Sequence, residues 1–262
     1  PGNPGRRGMV RHCGQVEGLN RFFVHQSQVR SDQIQLTDRD DLQHIIKVLR
    51  LGVGDEIEIS DNLLFEYQTR IQSVAKDQIL LEILDKQRFA REPETQITLY
   101  QGVPKAGKLE TIIQKSVELG VHTIVPVYTA RSVPQDKGGS GKQIRWQKIA
   151  EEAAKQCKRG IIPTVREGIS WKNLLREWSE RGGLLLFPYE NETMVSLRDV
   201  IKGQGQSPKE VAILIGPEGG FSEQEAEEIQ QLGGKRLSLG KTILRTETAA
   251  IVAIALVLYE LE

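Results

Sequence analysis

From residue 96 onward, short apolar runs alternate with segments of helical period. Residues 97–101, 123–127, 184–187 and 211–215 have the length of buried strands and are too short for helices. Between them, Leu109, Ile112, Ile113 and Val117 line one face of a helix, which Gly120 closes at its C-terminal end. Trp146, Ile149, Ala150, Ala153, Ala154 and Cys157 form the stripe of a longer helix over 143–159. Trp171, Leu174, Leu175 and Trp178 form another after a Ser170 cap, a bulky core rather than a base-stacking surface. Such alternation predicts an α/β unit with a mainly parallel sheet and helices on both faces. The last helix, 247–261, is apolar on nearly every side through Leu258. It must be covered all round, and a partner subunit is the expected cover.

Residues 21–92 read differently. Strand patterns at 21–24, 33–36, 56–60, 66–74 and 78–84, with a turn at Lys76-Asp77, enclose one helix. Thr37 is its predicted cap, and Leu42, Ile45, Ile46 and Leu49 its apolar face. This is the pattern of a small β-barrel. The polar segment KQRFAREPET, 86–95, marks the boundary. The chain divides into a flexible arm or tag remnant over 1–20 with Met9 a candidate start, a barrel over 21–92 and an α/β domain over 93–262.

The stretch 213–255 carries two glycine-bearing turns, each fed by an apolar run. The first is Gly216-Pro217-Glu218-Gly219-Gly220, and the second runs from Leu239 through Gly240 to Arg245. At the carboxyl edge of an open α/β sheet, such turns can wrap a small molecule with main-chain groups. Ser222 with Glu225 forms a capping box for the following helix, with Phe221 and Ala226 as the staple. A plain strand–turn–helix connection would explain this first turn alone. Neither turn holds a dinucleotide or Walker fingerprint: GPEGGF lacks G-x-G-x-x-G, and Lys235 stands where a Walker loop before Gly240-Lys241-Thr242 needs glycine. That excludes a P-loop hydrolase. With Glu218 in the turn, a neutral or cationic ligand suits it better than a triphosphate.

Net charge is zero, so it names no partner. Its distribution is more informative. Residues 105–166 hold twelve Lys/Arg against five Asp/Glu, and 167–262 hold ten against fifteen. A basic middle and an arginine-bearing arm could follow a phosphate backbone, although solvated helix faces would read the same. Two cysteines, Cys13 and Cys157, are too few for a disulfide framework. The longest apolar run, 249–258, is about half a membrane span. With no signal peptide pattern, a cytoplasmic protein with no membrane partner is expected.

IGPEGGFSEQE and LSLGKTILRTETAA closely resemble the two C-terminal motifs of the bacterial 16S ribosomal RNA uracil-N3 methyltransferases, of the SPOUT superfamily. KLETIIQKSVELGV, EEAAKQCKRGIIP and HIIKVLRLGVGDEI extend the resemblance over nearly the whole chain after residue 20. It implies a PUA-like RNA-binding barrel before a SPOUT domain whose tail threads a trefoil knot, a homodimer, and no metal. It also implies S-adenosylmethionine held bent in the knot, mainly by main chain. The donor-binding positions implied are Leu186 and Phe187, Ile215, Gly216, Pro217, Glu218 and Gly219, then Leu237, Leu239, Gly240, Ile243, Leu244 and Thr246. The segment Phe187-Pro188-Tyr189-Glu190 would be a third loop. The RNA contacts implied are Arg21, Arg50, Lys105, Lys108, Arg131, Gln156 and Arg159, with His44 and Lys47 near Arg50.

Methylating uridine N3 requires alignment of donor and ring, loss of the N3 proton and stabilisation of charge on O2 and O4. Arg245 is the candidate for the charge, and Glu218 or Glu247 for the proton. A paired base would have to be extruded first. The partner implied is 16S rRNA on the assembled small subunit. Another RNA position, or a non-catalytic RNA-binding assembly factor, remains the alternative. Gly219→Val is expected to abolish donor binding by shape.

Overall fold

The structure is a computed structural model describing residues 19–89, 91–105, 107–132 and 139–262. The N-terminal arm before residue 19 and part of the loop after Arg131 lie outside the described residues. In chain order, the first part contains β1 (Arg21–Phe23), β2 (Gln33–Leu36), α1 (Arg39–Gln43), β3 (Glu56–Ser60), β4 (Phe65–Val74) and β5 (Ile79–Arg88). The sheet order is β1-β3-β4-β5-β2. Phe22 of β1 and Ile34 of β2 lie at opposite ends of that order yet share one apolar core with Leu42 of α1 and Ile45 just beyond it. The sheet therefore wraps around its core, as a small barrel does.

Helix α1 departs from expectation at both ends. Its cap is Asp38, not Thr37: the Asp38 carboxylate accepts from Asp41 N–H at 2.9 Å. A carboxylate there also meets the positive helix end. The helix then widens into a π turn over His44–Val48, which carries Ile46 out to solvent while Ile45 stays buried.

The second part is a seven-stranded sheet. It runs β6 (Gln96–Gly102), α2 (Lys108–Leu119), β7 (Thr123–Tyr128), α3 (Gly139–Gln156), β8 (Thr164–Val165), β9 (Ile169–Ser170) and α4 (Trp171–Arg181). Then follow β10 (Leu184–Pro188), α5 (Leu197–Lys202), β11 (Glu210–Ile215), α6 (Glu223–Gln231), β12 (Lys235–Leu237) and α7 (Thr246–Leu261). The order β12-β10-β11-β6-β7-β8 is parallel throughout, with β9 also beside β7. Apolar cores lie on both faces: one holds α2, α3 and α7, the other α4 and α6. Parallel pairing sends the segments after β6, β7, β10, β11 and β12 to one carboxyl edge.

Two arginines join the halves. Arg21 of β1 donates to Lys158 O and Arg159 O at 3.0 and 2.9 Å and pairs with Glu66 at 2.6 Å. Arg159 pairs with Glu92 at 2.7 Å and donates to the Val117 and Val121 carbonyls. They are 6% and 4% exposed, so the expectation that Arg21 and Arg159 contact RNA is corrected. Their donors are occupied by protein carbonyls and carboxylates, and a phosphate has no access. Arg159 also lies beyond the end of α3 rather than on it. Lys155–Asp41 at 2.7 Å adds a further bridge; burial pushes the Asp41 carboxyl up, against the pull of Lys155.

Candidate donor site at the carboxyl edge

A cavity of about 670 Å³ opens at that edge, within the ~300–1,000 Å³ range of small-molecule sites. Its walls are three loops. Residues 215–218 with Gly220 and Phe221 form one, 238–246 the second, and 188–190 with 192–196 the third. Of the expected donor-binding positions, Ile215, Gly216, Pro217, Glu218, Leu239, Gly240, Ile243, Leu244 and Thr246 line it. Leu186, Phe187 and Leu237 do not: each is at most 1% exposed and packs in the sheet's cores. The Phe187 ring stands edge-on to Phe221 at 6.4 Å. Gly219 is also off the wall; a Cβ there would meet the Arg131 side chain at 3.2 Å. A flexible neighbour can give way, so Gly219→Val is a weaker lesion than sequence alone suggests.

The first two loops are tied by a buried relay. Thr246 Oγ1 donates to Gly216 O at 2.6 Å and accepts from Gln101 Nε2 at 2.9 Å. Gln101 is fully buried at the end of β6. Its neighbour Gly102 lies against the first turn, where an added Cβ would stand 2.6 Å from Pro217 Cδ. Neither residue was singled out from sequence; a glycine ending an apolar strand was the available signal. Glu225 does more than cap α6. One carboxylate oxygen accepts from Ser222 N–H at 2.8 Å and the other from Ala130 N–H at 2.7 Å, so it also anchors the loop after β7.

Three of the expected RNA-contacting residues converge on the first turn. Arg131 donates to Gly219 O at 2.6 Å. Lys105 donates its main-chain N–H to Glu218, and Lys108 Nζ lies 3.1 Å from the same carboxylate. Lys108 also reaches Glu247 at 3.5 Å, where Oε2 remains without a hydrogen bond. Glu247 is off the cavity wall, whereas Glu218 and Arg245 are on it. Arg245 is exposed and, among the described residues, has no partner. Arg50 is exposed at positive φ beyond the π turn, and Gln156 is exposed at the end of α3. His44 packs edge-on against Phe22 at 6.0 Å.

Burial works against the Glu218 charge, but hydrogen bonds from its own backbone and Lys105, with Lys108 beside it, outweigh that and hold the carboxyl below its ordinary value. A lowered folded pKa adds stability above the unfolded value, and this is lost as pH falls through the folded one. Glu218→Gln should therefore lower Tm near neutral pH, with the gap to wild type closing below about pH 4. Thermal melts across that window check it; a gap that persists in acid contradicts it.

Among the described residues, no group of three or more His, Cys, Asp and Glu stands together as a metal site, and no helix is long and apolar enough to cross a membrane. The sequence matches the family model of the RNA methyltransferase domain over residues 91–258 and that of the RNA methyltransferase PUA domain over 36–84. It is 33% identical to the ribosomal RNA small subunit methyltransferase E of Bacillus subtilis, over 93% of this chain and 98% of that protein. The chain belongs to the ribosomal RNA small subunit methyltransferase E family. A second member, from Buchnera aphidicola of Schizaphis graminum, is 35% identical over 89% of this chain and 92% of its own. The solved Neisseria gonorrhoeae member, bound to S-adenosyl methionine, has TM-score 0.79 and 29% identity over 91% of this chain and 96% of that one. A Legionella pneumophila methyltransferase in complex with the same molecule has TM-score 0.79 and 31% identity over 92% and 97%.

Proposed function

We propose that this methyltransferase moves a methyl group from S-adenosylmethionine to N3 of one uridine of 16S rRNA, in the cytoplasm, on the assembled small subunit. The observation that carries the reading is the three-loop cavity, walled in part by both glycine-bearing turns, in a family whose solved Neisseria member holds that donor. The fit is chemical as well as volumetric. The glycine-bearing turns offer backbone donors and acceptors for a nucleoside, and the wall carries carboxylates suited to a cationic molecule. The bound donor would supply an electrophilic methyl; the chain's own residues supply the rest.

The division of labour follows the two sheets. The barrel over 21–92 would grip RNA through exposed Arg50 and Lys47, and the domain over 93–262 would carry the chemistry. Arg245, unpaired at the cavity wall among the described residues, is suited to the charge that develops on O2 and O4, or to the target's phosphate. Glu218 is an unpromising base, because its own hydrogen bonds hold its carboxyl low. Its role is to hold Lys105 and Lys108 against the first turn. Glu247 keeps an oxygen without a hydrogen bond beside Lys108; half-buried off the cavity wall, it would have to turn into the cavity to take the N3 proton. Glu247→Gln should then lower kcat about a hundredfold with little change in donor affinity. Single-turnover rates and calorimetry separate the two; an unchanged kcat removes Glu247 from the reaction.

The reading includes the family's knot and homodimer. The bond from Thr246 to Gly216 O pins the tail segment to the first turn, an arrangement compatible with the knot. Solvent-facing Leu256 and Tyr259 on an otherwise packed α7 support a second subunit as cover. Transfer of labelled methyl groups tests the activity. Isolated small subunits should be methylated faster than deproteinised 16S rRNA, and failure with both would refute the reading.

A further inference from the structure

Three carboxylates face the cavity, and they are not equivalent. Glu218 is engaged by Lys105 and Lys108. Glu192 accepts the Met194 and Val195 N–H groups at 2.8 and 3.1 Å, which hold its carboxyl below the ordinary value. Glu190 has no hydrogen bond or ion pair among the described residues.

Its backbone is nevertheless fixed. Tyr189 N–H donates to Leu237 O at 3.0 Å, and Glu192 N–H to Tyr189 O at 3.0 Å, so Glu190 sits inside a turn pinned at both ends. The Tyr189 ring is backed by Arg236, whose guanidinium lies 4.7 Å from its centroid. Across the cavity, Glu190 Oε2 is 3.4 Å from where a Gly220 Cβ would stand. A carboxylate without a partner is thus held against the first turn. Among the described residues, the wall's cations without a side-chain partner, Lys241 and Arg245, are both on the second loop.

We propose that Glu190 holds the cationic part of the methyl donor and sets the site's preference for adenosyl ligands that carry a positive charge over those that carry none. The proposal rests on the cavity being the donor site. S-adenosylmethionine carries an ammonium and a sulfonium, S-adenosylhomocysteine only the ammonium, and 5′-methylthioadenosine neither. A charge-assisted contact strengthens the first one or two and is silent for the third.

The test is calorimetric titration of wild type and Glu190→Gln with these three ligands. The exposed position and near-isosteric change leave the fold intact, which a melt verifies. Glu190→Gln should bind S-adenosylmethionine about tenfold more weakly and 5′-methylthioadenosine within about twofold of wild type. Equal loss for S-adenosylhomocysteine assigns the ammonium, and an unchanged value assigns the sulfonium; either supports the proposal. Unchanged affinity for S-adenosylmethionine, or equal loss for all three, overturns it and leaves the donor site standing. A wild type that binds none of the three removes the donor site and the proposal together.

Discussion

Gly102→Ala is expected to cost about a hundredfold in kcat/KM for RNA methylation while the protein stays folded. The residue is buried at the end of β6, and its missing side chain is the space into which the first turn fits. An added methyl would lie 2.6 Å from Pro217 Cδ, 2.7 Å from Pro217 N and 3.0 Å from Gly216 C. Normal contact requires these atoms to separate by roughly 1 Å, an overpacking strain of about 1–3 kcal/mol. The strand is central in the sheet, so the turn yields. It carries Gly216, Pro217 and Glu218 with it, and a misplacement of about 1 Å near a reacting group can cost about a hundredfold. Donor affinity by calorimetry and kcat/KM on small subunits report the loss, and circular dichroism reports the fold. Full donor affinity in a folded Gly102→Ala protein would mean that the first turn does not form the binding wall.

The second large effect is on stability. Arg21→Ala should destabilise the protein by about 3–5 kcal/mol, because it leaves Glu66 and two carbonyls buried without their cation. For a chain of this size the drop in Tm is roughly 10 °C or more. Arg21→Lys should recover little of it, since an ammonium cannot reproduce the planar fork that serves both Lys158 O and Arg159 O and Glu66. Donor affinity should be retained, because the cavity lies at the carboxyl edge of the other sheet. A variant with wild-type Tm and selectively lost RNA affinity would restore Arg21 to the RNA surface.

Arg21 also marks where sequence reading stops. An arginine destined for phosphate and one destined for the carbonyls of Lys158 and Arg159 look the same in one dimension. The distinction appears only when β1 meets the end of α3. The parallel sheet was legible because its central strands are doubly covered and therefore continuously apolar. Edge strand β12, KRL, and the short α5 carried no such signature, and tertiary pairing decides them. The two glycine turns were legible from their motifs. Leu186, Phe187 and Leu237 turn their side chains into the cores, which motif proximity does not reveal, because it does not say which way a strand's last side chains face. Residues 192–196 were missed because their sequence has no period. Gly102 was missed because its importance is an absence of atoms opposite a proline 115 positions along the chain.

The cavity is proposed to serve methyl transfer to N3 of one small-subunit uridine. Mass-spectrometric mapping of 16S rRNA from cells lacking this protein tests it most directly. One N3-methyluridine should be lost, and return with the wild-type gene but not with Gly102→Ala. A full complement of N3-methyluridine in the deleted strain would contradict it.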